Sequence, residues 1–260
     1  MTKALLDVIF ASGKRKGVLQ LLKDGPQEME YLLKSLDTTR QALLPQIRTL
    51  EDHYLIDQHK DAYQLTIIGK LLVDKMTPFL ETIEVLDANI DYWGTHNIDF
   101  IPPHLLKEIK EIKNCEIINP PLTDLYSLHK SFHLNQKTES TYTVTNFLYP
   151  DYCTIFTDLI DNGITVNYIV SKELFDKIKI EHCNNFQSFM KSKLFNFFSY
   201  NKKMNFLFFT FDDFHIVISL LKKDGDFDSK FILCSTQDAL NWGKEMFDYY
   251  LNDSVQITQI

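Results

Sequence analysis

Short apolar stripes at helical spacing, separated by polar breaks, open the chain and predict a series of short helices. Helices are expected over residues 4–10, 14–23, 27–34 and 38–53. At about 100° per residue, Leu43, Ile47, Leu50 and Tyr54 fall on one stripe, and the fourth helix is expected to pack on a core through its Leu, Ile and Leu. The opposite side collects Thr38, Gln41, Pro45, Arg48, Thr49 and Asp52.

A strand–turn–strand pattern follows the fourth helix. Residues 55–57 and 62–65 flank a polar turn at residues 58–61, and Thr66 is placed to cap the next helix. Short helix, turn, helix and hairpin in this order predict a winged helix-turn-helix; the alternative is a helical bundle with an unrelated hairpin. Pro45 lacks an N–H, so it is expected to kink or loosen the fourth helix.

After the hairpin, apolar residues recur at alternating intervals of four and three over three heptads. These positions are Leu72, Met76, Phe79, Ile83, Leu86, Ile90 and Trp93. The seam favours contact between two copies of the chain in a homodimer, and the alternative is packing against the second domain of the same chain. Pro78 interrupts the run and Thr77 is placed to cap a restart, so either one kinked helix or two helices in series are expected.

The rest of the chain alternates helical and strand patterns. Helices are expected over residues 102–113, 122–134, 151–161 and 237–251, and strands over residues 115–119, 141–147, 164–170, 205–210, 214–221 and 230–234. Strand, helix and strand within residues 141–170 form a βαβ unit, which predicts a parallel pair. The fold class is therefore mixed α/β (α+β): a winged helix-turn-helix domain at residues 1–78, a helical connector and dimerisation segment at 79–113, and an α/β sensor domain at 114–260.

Charge is distributed unevenly between these parts. The net charge is −8, but residues 1–80 hold 11 Lys and Arg against 10 Asp and Glu, whereas the other 180 residues hold 16 against 25. An acidic protein can bind DNA through a local basic face. The asymmetry therefore predicts two parts with different tasks.

Composition excludes several classes of protein. Hydrophobic residues make up 45% and charged residues 24%, which is typical of a globular chain with a substantial core. No apolar run approaches the roughly 20 residues that span a bilayer, and no signal peptide is recognisable, so a cytoplasmic location without a membrane partner is expected. The four cysteines, Cys115, Cys153, Cys183 and Cys234, form no CxxC pair and are expected to be reduced thiols.

The second domain contains no catalytic or cofactor motif. The sequence has no GxGxxG loop, no GxxxxGK[ST] loop and no Gly-x-Ser-x-Gly elbow. His129 and His133 lack the glutamate of HExxH, and the Asp224–Asp228 stretch lacks the later ligands of a calcium loop and predicts a solvated turn. No catalytic residue, cofactor or metal is therefore expected. The aromatic clusters leave room for an apolar pocket, for which Tyr126, His129, Tyr142 and Tyr200 are candidates.

The outward side of the fourth helix carries side chains that suit the major groove of DNA. Gln41 and Arg48 are expected to read base edges, because Gln pairs with adenine and Arg with guanine. The remaining DNA contacts are assigned to Thr38, Thr39 and Arg40 on phosphate, Thr49 on the outward face, His59 and Lys60 in the wing, and Lys14 and Arg15 on the backbone.

Two stretches resemble known regulators. TTRQALLPQIRTLEDHYLI, followed by YQLTIIGK, resembles archaeal ArsR/MarR-like winged-helix regulators. IEVLDANIDYWGTHNIDFIPPHLLKEI, by the spacing of its Trp93, Asp99, Ile101-Pro102 and Leu105-Leu106, resembles archaeal regulators that carry a methanogenesis regulatory protein middle domain. The resemblance implies a dimer and a C-terminal sensor with a phospholipase D-like fold. It implies no phospholipase activity, because none of the eight histidines has Lys two residues on, as HxKxxxxD requires.

The expected function is that of a transcription regulator that binds double-stranded DNA as a homodimer. Its C-terminal domain would sense an unknown small-molecule effector or would only dimerise. Two alternatives stay open. One is an enzyme, such as a methyltransferase, that uses the winged helix for dimerisation. The other is a protein–protein adaptor in which the outward face of the fourth helix touches no DNA.

Overall fold

The computed structural model describes residues 4–121 and 138–260. The chain divides into two compact units, Met1–Glu81 and Thr82–Ile260. Residues 82–113, which the sequence pattern assigned to a separate connector, belong to the second unit. The helix expected over residues 122–134 lies outside the described residues.

The first unit follows the predicted order of short helices and a hairpin. Its elements are α1 (Leu5–Phe10), α2 (Gly13–Leu21), β1 (Gln27–Glu28), α3 (Met29–Ser35), α4 (Arg40–Asp52), β2 (Ile56–His59), β3 (Ala62–Leu65) and α5 (Ile67–Asp87), the last of which continues into the second unit. The three strands form an antiparallel sheet in the order β1-β3-β2. Residues 27 and 28, expected to start a helix, pair with β3 instead. The helices and the hairpin follow one another in the order that the sequence pattern predicted, and the winged helix-turn-helix stays a prediction.

The core of the first unit is built from the apolar stripes of its helices and of β3. Leu43, Ile47 and Leu50 of α4 are each fully buried in it. Gly69 lets α5 approach the segment between α4 and β2 closely, since a Cβ there would lie only 2.0 Å from the backbone oxygen of Leu55. This packing therefore depends on a residue without a side chain.

Both helical prolines are accommodated without a break. The helix α4 runs through Pro45, and α5 runs through Pro78 for 21 residues. Thr77 does not cap a restart: its hydroxyl donates to the backbone oxygen of Val73, one turn earlier, at 2.9 Å. The break comes later, at Asn89, whose side chain caps the following helix by accepting from the N–H of Tyr92. Of the two alternatives for this region, one continuous helix through Pro78 is the one observed.

The second unit is a mixed α/β structure, as predicted. After α5 come α6 (Ile90–Thr95), α7 (Pro103–Lys107), a 3-10 helix (Ile109–Ile112), β4 (Glu116–Ile118), β5 (Ser140–Thr145), α8 (Tyr152–Asp161), β6 (Thr165–Ser171), α9 (Lys172–Glu181), α10 (Cys183–Phe189), β7 (Phe195–Tyr200), β8 (Phe208–Phe211), β9 (Ile216–Ser219), β10 (Phe231–Cys234), α11 (Gln237–Asn252) and β11 (Ser254–Gln256). The single helix expected over residues 102–113 is thus divided in two.

One eight-stranded sheet, in the order β11-β7-β6-β5-β8-β9-β10-β4, organises this unit. The strands β5, β6 and β7 are parallel neighbours and the other pairs are antiparallel. The predicted βαβ unit is therefore confirmed, with α8 as its crossover. Gly163, at φ 77°, makes the tight turn between α8 and β6 in a conformation that favours glycine.

Helices cover both faces of the sheet. On one face α11 places Trp242 and Tyr250 in the core, where the Trp242 ring N–H donates to the backbone oxygen of Leu105 at 3.1 Å. The Tyr250 hydroxyl donates to the backbone oxygen of Phe100 at 2.8 Å. On the other face, Phe186 of α10 and Phe197 of β7 pack with α8 and α9. Residues 82–113 therefore fold onto the α11 face of the sheet.

The expectation of four reduced cysteines is wrong for two of them. Cys115 and Cys234 form a disulfide, with their Cα atoms 4.5 Å apart and a sequence separation of 119 positions. The antiparallel register that sets Glu116 opposite Leu233 also sets these two cysteines side by side. Cys153 and Cys183 are free thiols. Sequence spacing could not reveal the pairing, because it depends on which strands become neighbours.

Several elements of the second unit were not predicted. They are α9, α10, β7 and β11. The residues of β7 were seen only as an aromatic cluster, although their alternating burial is that of a strand with two different faces. Within the two described ranges, no helix is both long and apolar enough to cross a membrane. No group of three or more His, Cys, Asp or Glu side chains in those ranges could hold a metal ion.

Candidate nucleic-acid interface

The turn between α3 and α4 sets the direction in which α4 leaves the core. Asp37 occupies the left-handed position at the end of α3, with φ 43°. Its N–H donates to the Lys34 oxygen at 3.3 Å, and the Thr38 N–H donates to the Leu33 oxygen at 3.1 Å. This pair of bonds is the usual way in which a helix satisfies its last carbonyls. Thr39 then caps α4 by accepting from the N–H of Ala42 at 3.4 Å.

The helix α4 has one buried and one exposed side. Leu43, Ile47 and Leu50 anchor it, and the exposed residues are Arg40, Gln41, Pro45, Arg48 and Asp52. Gln41, Arg48 and Asp52 lie within about 60° on the helix surface. The exposed stripe therefore carries one amide, one guanidinium and one carboxylate, which can all form hydrogen bonds to base edges or to water.

The threonines at α4 differ in what they can still donate. Thr39 is exposed and its hydroxyl oxygen is used as a helix cap, so its proton can be donated to a phosphate. The hydroxyl proton of Thr49 is already donated to the backbone oxygen of Pro45 at 2.9 Å. Since phosphate oxygens only accept, Thr49 is left with its methyl group or with accepting a bond. Thr38 is half-buried in the turn.

The wing is the hairpin of β2 and β3, and its two-residue turn, Lys60-Asp61, carries one positive and one negative side chain. His59 and Lys60 are both exposed, and Lys60 adopts φ 56° at the turn. The side chain of Gln58 donates to the Lys60 backbone oxygen at 3.2 Å and holds this turn. The sequence-predicted wing residues are therefore on the surface, at the tip of β2–β3.

Charged residues of α4 act on the phenol of Tyr63, a buried residue of β3. Burial raises the pKa of Tyr63, and the Glu51 carboxylate raises it further, whereas Arg40 and Arg48 act in the opposite direction. The positive charges of Arg40 and Arg48 therefore act on Tyr63 in β3. The exposed Lys and Arg side chains of α4 and the wing are Arg40, Arg48 and Lys60.

Arg15 is not placed to contact DNA, which corrects the sequence-based assignment. Only 7% of it is exposed, and its guanidinium donates to the backbone oxygens of Val8 and Asp7 and to the side-chain oxygen of Gln46. The distance to Gln46 is 2.7 Å. Arg15 therefore joins α1, α2 and α4. Lys14, the adjacent candidate, is half-buried.

The seven residues of the heptad seam do not form one continuous surface. Met76 is buried in the core of the first unit, and Trp93 is buried in the second, where its ring N–H donates to the Val85 oxygen at 3.0 Å. Leu72 packs against the first core and Leu86 against the second, and Ile83 is half-buried. Phe79 and Ile90 are the two exposed members, each at 57%. Packing within the chain therefore accounts for most of this pattern.

A different apolar surface is exposed on the first unit. It consists of Leu5, Leu6 and Phe10 on α1 and Ile67, Ile68, Leu71 and Phe79 on α5. The rings of Phe10 and Phe79 contact each other edge to face, with centroids 6.5 Å apart. We refer to these seven residues as the α1/α5 surface. Exposed apolar groups in such number are typical of an interaction site.

The aromatic residues suggested for a pocket lie elsewhere. Tyr142 stacks on Phe211 on the α11 side of the sheet, and Tyr200 packs against Tyr250 on the same side. Tyr126, His129 and His133 lie outside the described residues. The polar residues that sequence reasoning missed are the threonines of β5, whose alternation in STYTVT was the available signal.

The aspartates from 224 to 228 do not behave alike. Asp224 and Asp226 are exposed, as a solvated turn predicts. Asp228 accepts from the Nε2 of His96, a buried residue, at 3.1 Å. The other ring nitrogen of His96 lies 2.7 Å from the backbone oxygen of Tyr92. This cluster ties the turn to the end of α6.

Comparison with known families gives two matches along the chain. Residues 125–253 match the family model described as the methanogenesis regulatory protein FilR1 middle domain. Residues 5–88 match the model of the HVO_A0261 N-terminal domain. The stretch with Trp93 and Leu105-Leu106, on which the middle-domain resemblance rested, lies between the two matched regions. The ArsR/MarR-like and phospholipase D-like parts of that resemblance stay predictions.

One curated relative matches along most of the chain. The methanogenesis regulatory protein FilR1 of Methanothrix harundinacea (strain 6Ac) is 22% identical over 264 residues, covering 96% of this chain. This chain spans 58% of the length of that relative.

Solved structures are similar to this chain only at low TM-scores. TrmBL2, described as an archaeal chromatin protein, has a TM-score of 0.43 at 11% identity over 97% of both chains. Phosphatidylserine synthase from Haemophilus influenzae Rd KW20 has a TM-score of 0.39 at 14% identity, over 56% of this chain and 40% of that one.

Proposed function

We propose that this chain is a DNA-binding transcription regulator of archaeal type. The observation that carries the proposal is α4: three fully buried apolar residues anchor it in a helix-turn-helix, while Gln41 and Arg48 point away from the core. A helix held in this way is the usual element that enters the major groove. The regulatory protein from Methanothrix and the matched regulatory middle domain support the role. These similarities do not show that this chain has the same target genes as the Methanothrix protein.

In this proposal α4 reads bases and its surroundings bind phosphate. Gln41 and Arg48 contact base edges, because their side chains are exposed on one stripe and can form bidentate hydrogen bonds. The phosphate contacts fall to Thr38, Thr39 and Arg40 at the start of α4, and to His59, Lys60 and Lys14 around it. Arg15 is excluded because the core holds it, and Thr49 contributes only its methyl group or an acceptor.

We further propose a homodimer formed through the α1/α5 surface. Ile67, Leu71 and Phe79 lie within about 120° of one another around α5, so they present one apolar face. A second copy of the chain is the occupant expected for a regulator, since two copies place two recognition helices on two half-sites. This replaces the seven-residue seam, of which only Phe79 belongs to the surface.

DNA binding is tested by fluorescence anisotropy across a salt series. The intact protein is titrated with DNA from upstream of its own gene and with a scrambled sequence of the same composition. A regulator prefers the upstream DNA, and its affinity falls steeply as salt rises. If neither DNA is preferred, selection from a random pool follows. Failure of that selection to enrich any sequence would favour the protein–protein adaptor.

The dimer is tested by sedimentation of two matched variants. Leu71→Glu places a charge on the α1/α5 surface, where Leu71 is 62% exposed, and is expected to give a monomer. Ile180→Glu alters an even more exposed aliphatic residue, at 84%, on α9 and is expected to leave the dimer intact. A wild-type chain that sediments as a monomer at all concentrations would contradict the proposal.

A further inference from the structure

A cavity lies on the α8 side of the eight-stranded sheet. The centre of a water molecule can occupy about 100 Å³ of it, and it is lined by β5, β6, β8, β9, β10 and α8. This is several times the space that one ordered water needs, so a small organic group can enter. Its walls are mainly aromatic and aliphatic, and include Phe147, Phe156, Phe208, Val217 and Phe231.

The two faces of β5 differ in their side chains and in what they contact. Tyr142 and Val144 face the filled core under α11, whereas Thr141, Thr143 and Thr145 line the cavity. Valine has nearly the shape of threonine and would suit a closed core better, because it brings no hydroxyl to satisfy. Three threonines on the cavity side therefore point to a surface that meets a polar group of a ligand.

The sheet register aligns three hydroxyl-bearing residues in one row. Thr143 pairs with Tyr168 on β6 and with Thr210 on β8, and all three line the cavity. Neighbouring strands are about 4.8 Å apart, so the three residues lie close to one another across the sheet. The next position in the same row, on β9, is the apolar Val217.

Two hydroxyl protons of this row are left to donate. The hydroxyls of Thr143 and Thr210 are 2.7 Å apart, and their mutual hydrogen bond uses one of their two protons. No hydrogen bond of the Tyr168 hydroxyl occurs within the described residues, although only 5% of Tyr168 is exposed. Thr145 differs, since its hydroxyl donates to the Phe147 oxygen at 2.8 Å. The free donors thus converge on Thr143, Thr210 and Tyr168.

Apart from tyrosines, the ionisable groups among the described residues that line the cavity are Asp212 and His215, whose Nδ1 lies 3.8 Å from the Asp212 carboxylate. No Lys or Arg is among these described lining residues. Burial raises the pKa of Tyr168, and the nearby Tyr149 hydroxyl raises it further, so its phenol stays protonated. The Asp212 carboxylate is engaged with the backbone N–H groups of Phe214 and His215, both at 2.8 Å, and holds that turn.

We propose that this cavity binds an uncharged, largely apolar small molecule with a carbonyl or ether oxygen, which accepts hydrogen bonds from the Thr143–Thr210 pair and Tyr168. Aromatic walls bind the body of the ligand and the hydroxyl row orients its oxygen. Binding itself stands on the cavity alone. Its meaning as the effector signal rests on the proposed regulator function.

The test is equilibrium dialysis of the intact protein, without DNA, against four probes of one shape. They are acetylnaphthalene, which is neutral with a carbonyl; ethylnaphthalene, which lacks an acceptor; naphthoate, an anion; and naphthylmethylamine, a cation. Acetylnaphthalene is expected to bind about tenfold more tightly than ethylnaphthalene, as one buried hydrogen bond implies. Naphthoate and the amine are expected to bind more weakly than both.

Variants distinguish the contribution of the hydroxyl groups to binding from that of the cavity shape. Thr143→Val with Thr210→Val keeps the shape and should abolish the preference for acetylnaphthalene, and Tyr168→Phe should reduce it. Tyr200→Phe, a matched change on the α11 side, should have no effect. Val217→Trp should block all four probes by filling the cavity while leaving the hydroxyl row in place. Circular dichroism establishes that each variant is folded.

The outcomes are decisive in both directions. No binding of acetylnaphthalene, stronger binding of either charged probe, or an unchanged preference in the threonine double variant overturns the proposed site. Operator binding is measured separately, with no probe present. A protein that binds acetylnaphthalene but no DNA sequence would refute the regulator function and leave the ligand site intact. The reverse result would refute the site alone.

Discussion

The two units each contain a stripe of polar side chains, and the stripes face opposite kinds of surroundings. On α4, Gln41 and Arg48 project to solvent from a helix whose other side is fully buried. On β5, Thr143 and Thr145 project into a cavity within the second unit. Helical periodicity alone separates inside from outside on α4. A strand has two faces by its geometry, and only its neighbours determine which face is filled.

The contrast follows from the range of the contacts. The turn before α4 and its cap are made by residues within a few positions of one another, such as Asp37 and Thr39. The row of Thr143, Tyr168 and Thr210 joins three strands that are far apart in sequence. The first unit is thus organised mainly by local signals, and the second by long-range pairing. Four changes test how far this holds.

The largest expected effect is on the second unit, where a covalent link joins two distant segments. Cys115→Ala with Cys234→Ala removes a disulfide that closes a loop of more than a hundred residues. We expect the free energy of unfolding of this unit to fall by about 4 kcal/mol. Tryptophan fluorescence in urea measures it, since Trp93 and Trp242, the two tryptophans of the chain, both belong to this unit.

The matched control replaces the free thiols, Cys153→Ser with Cys183→Ser, and should shift the urea midpoint little. Equal losses in both double variants would mean that the disulfide has no special role. In that case the second unit would depend on packing alone.

The next effect concerns a long-range clamp of the first unit. Arg15→Ala removes the donor for the Val8 and Asp7 oxygens and for Gln46, so we expect a loss of about 3 kcal/mol in the stability of this unit. Far-UV circular dichroism in urea measures this loss of stability. Tryptophan fluorescence does not report it, because both tryptophans belong to the second unit. Lys14→Ala is the control. A stable Arg15→Ala variant with weakened DNA binding would restore Arg15 as a DNA contact.

A smaller effect is expected from the exposed stripe of α4. Arg48→Ala should cost about 1–3 kcal/mol of binding at the preferred site and relax the preference there, without loss of stability. Asp52→Ala, on the same stripe, removes a negative charge and should strengthen binding to any DNA. Anisotropy on preferred and scrambled DNA measures both. Equal weakening by Arg48→Ala on both sequences would make Arg48 a phosphate contact.

The smallest effect is a pH dependence in the second unit. Burial alone raises the pKa of the Asp228 carboxyl, but the Lys230 backbone N–H, the His96 ring and the Lys230 charge lower it below its ordinary value of 3.8. A lowered pKa means that the ionised carboxylate stabilises the folded chain above about pH 4, and that this stabilisation is lost as pH falls through the folded pKa.

Acid titration followed by tryptophan fluorescence checks this. Asp228→Asn should be less stable than the wild-type chain at neutral pH, and the difference should shrink in acid. Asp226→Asn, at an exposed position of the same turn, is the control. A difference that stays constant from neutral pH to below the ordinary carboxyl pKa would show that the contact with His96 does not depend on the charge of Asp228.

Much of the first unit could be predicted, and the errors have clear causes. The stripe of Leu43, Ile47 and Leu50 correctly placed the core side of α4. Arg15 was misassigned because the sequence does not show whether a basic residue on a short helix faces solvent or is buried. Here it is buried against three acceptors, the Val8 and Asp7 oxygens and Gln46. The heptad pattern was misleading for a similar reason, since Met76 and Trp93 satisfy the spacing while packing into two different cores.

The sequence by itself determined the helical order of the first unit, the outward face of α4, the βαβ unit and the absence of a glycine-rich phosphate loop. Each of these depends on residue spacing within one or two elements. Only the tertiary structure decided the Cys115–Cys234 disulfide, the enclosure of Arg15 and the cavity beside Thr143. Each of those requires contacts between groups from distant segments. Strand order and helix packing determine these contacts, and local periodicity carries no information about either.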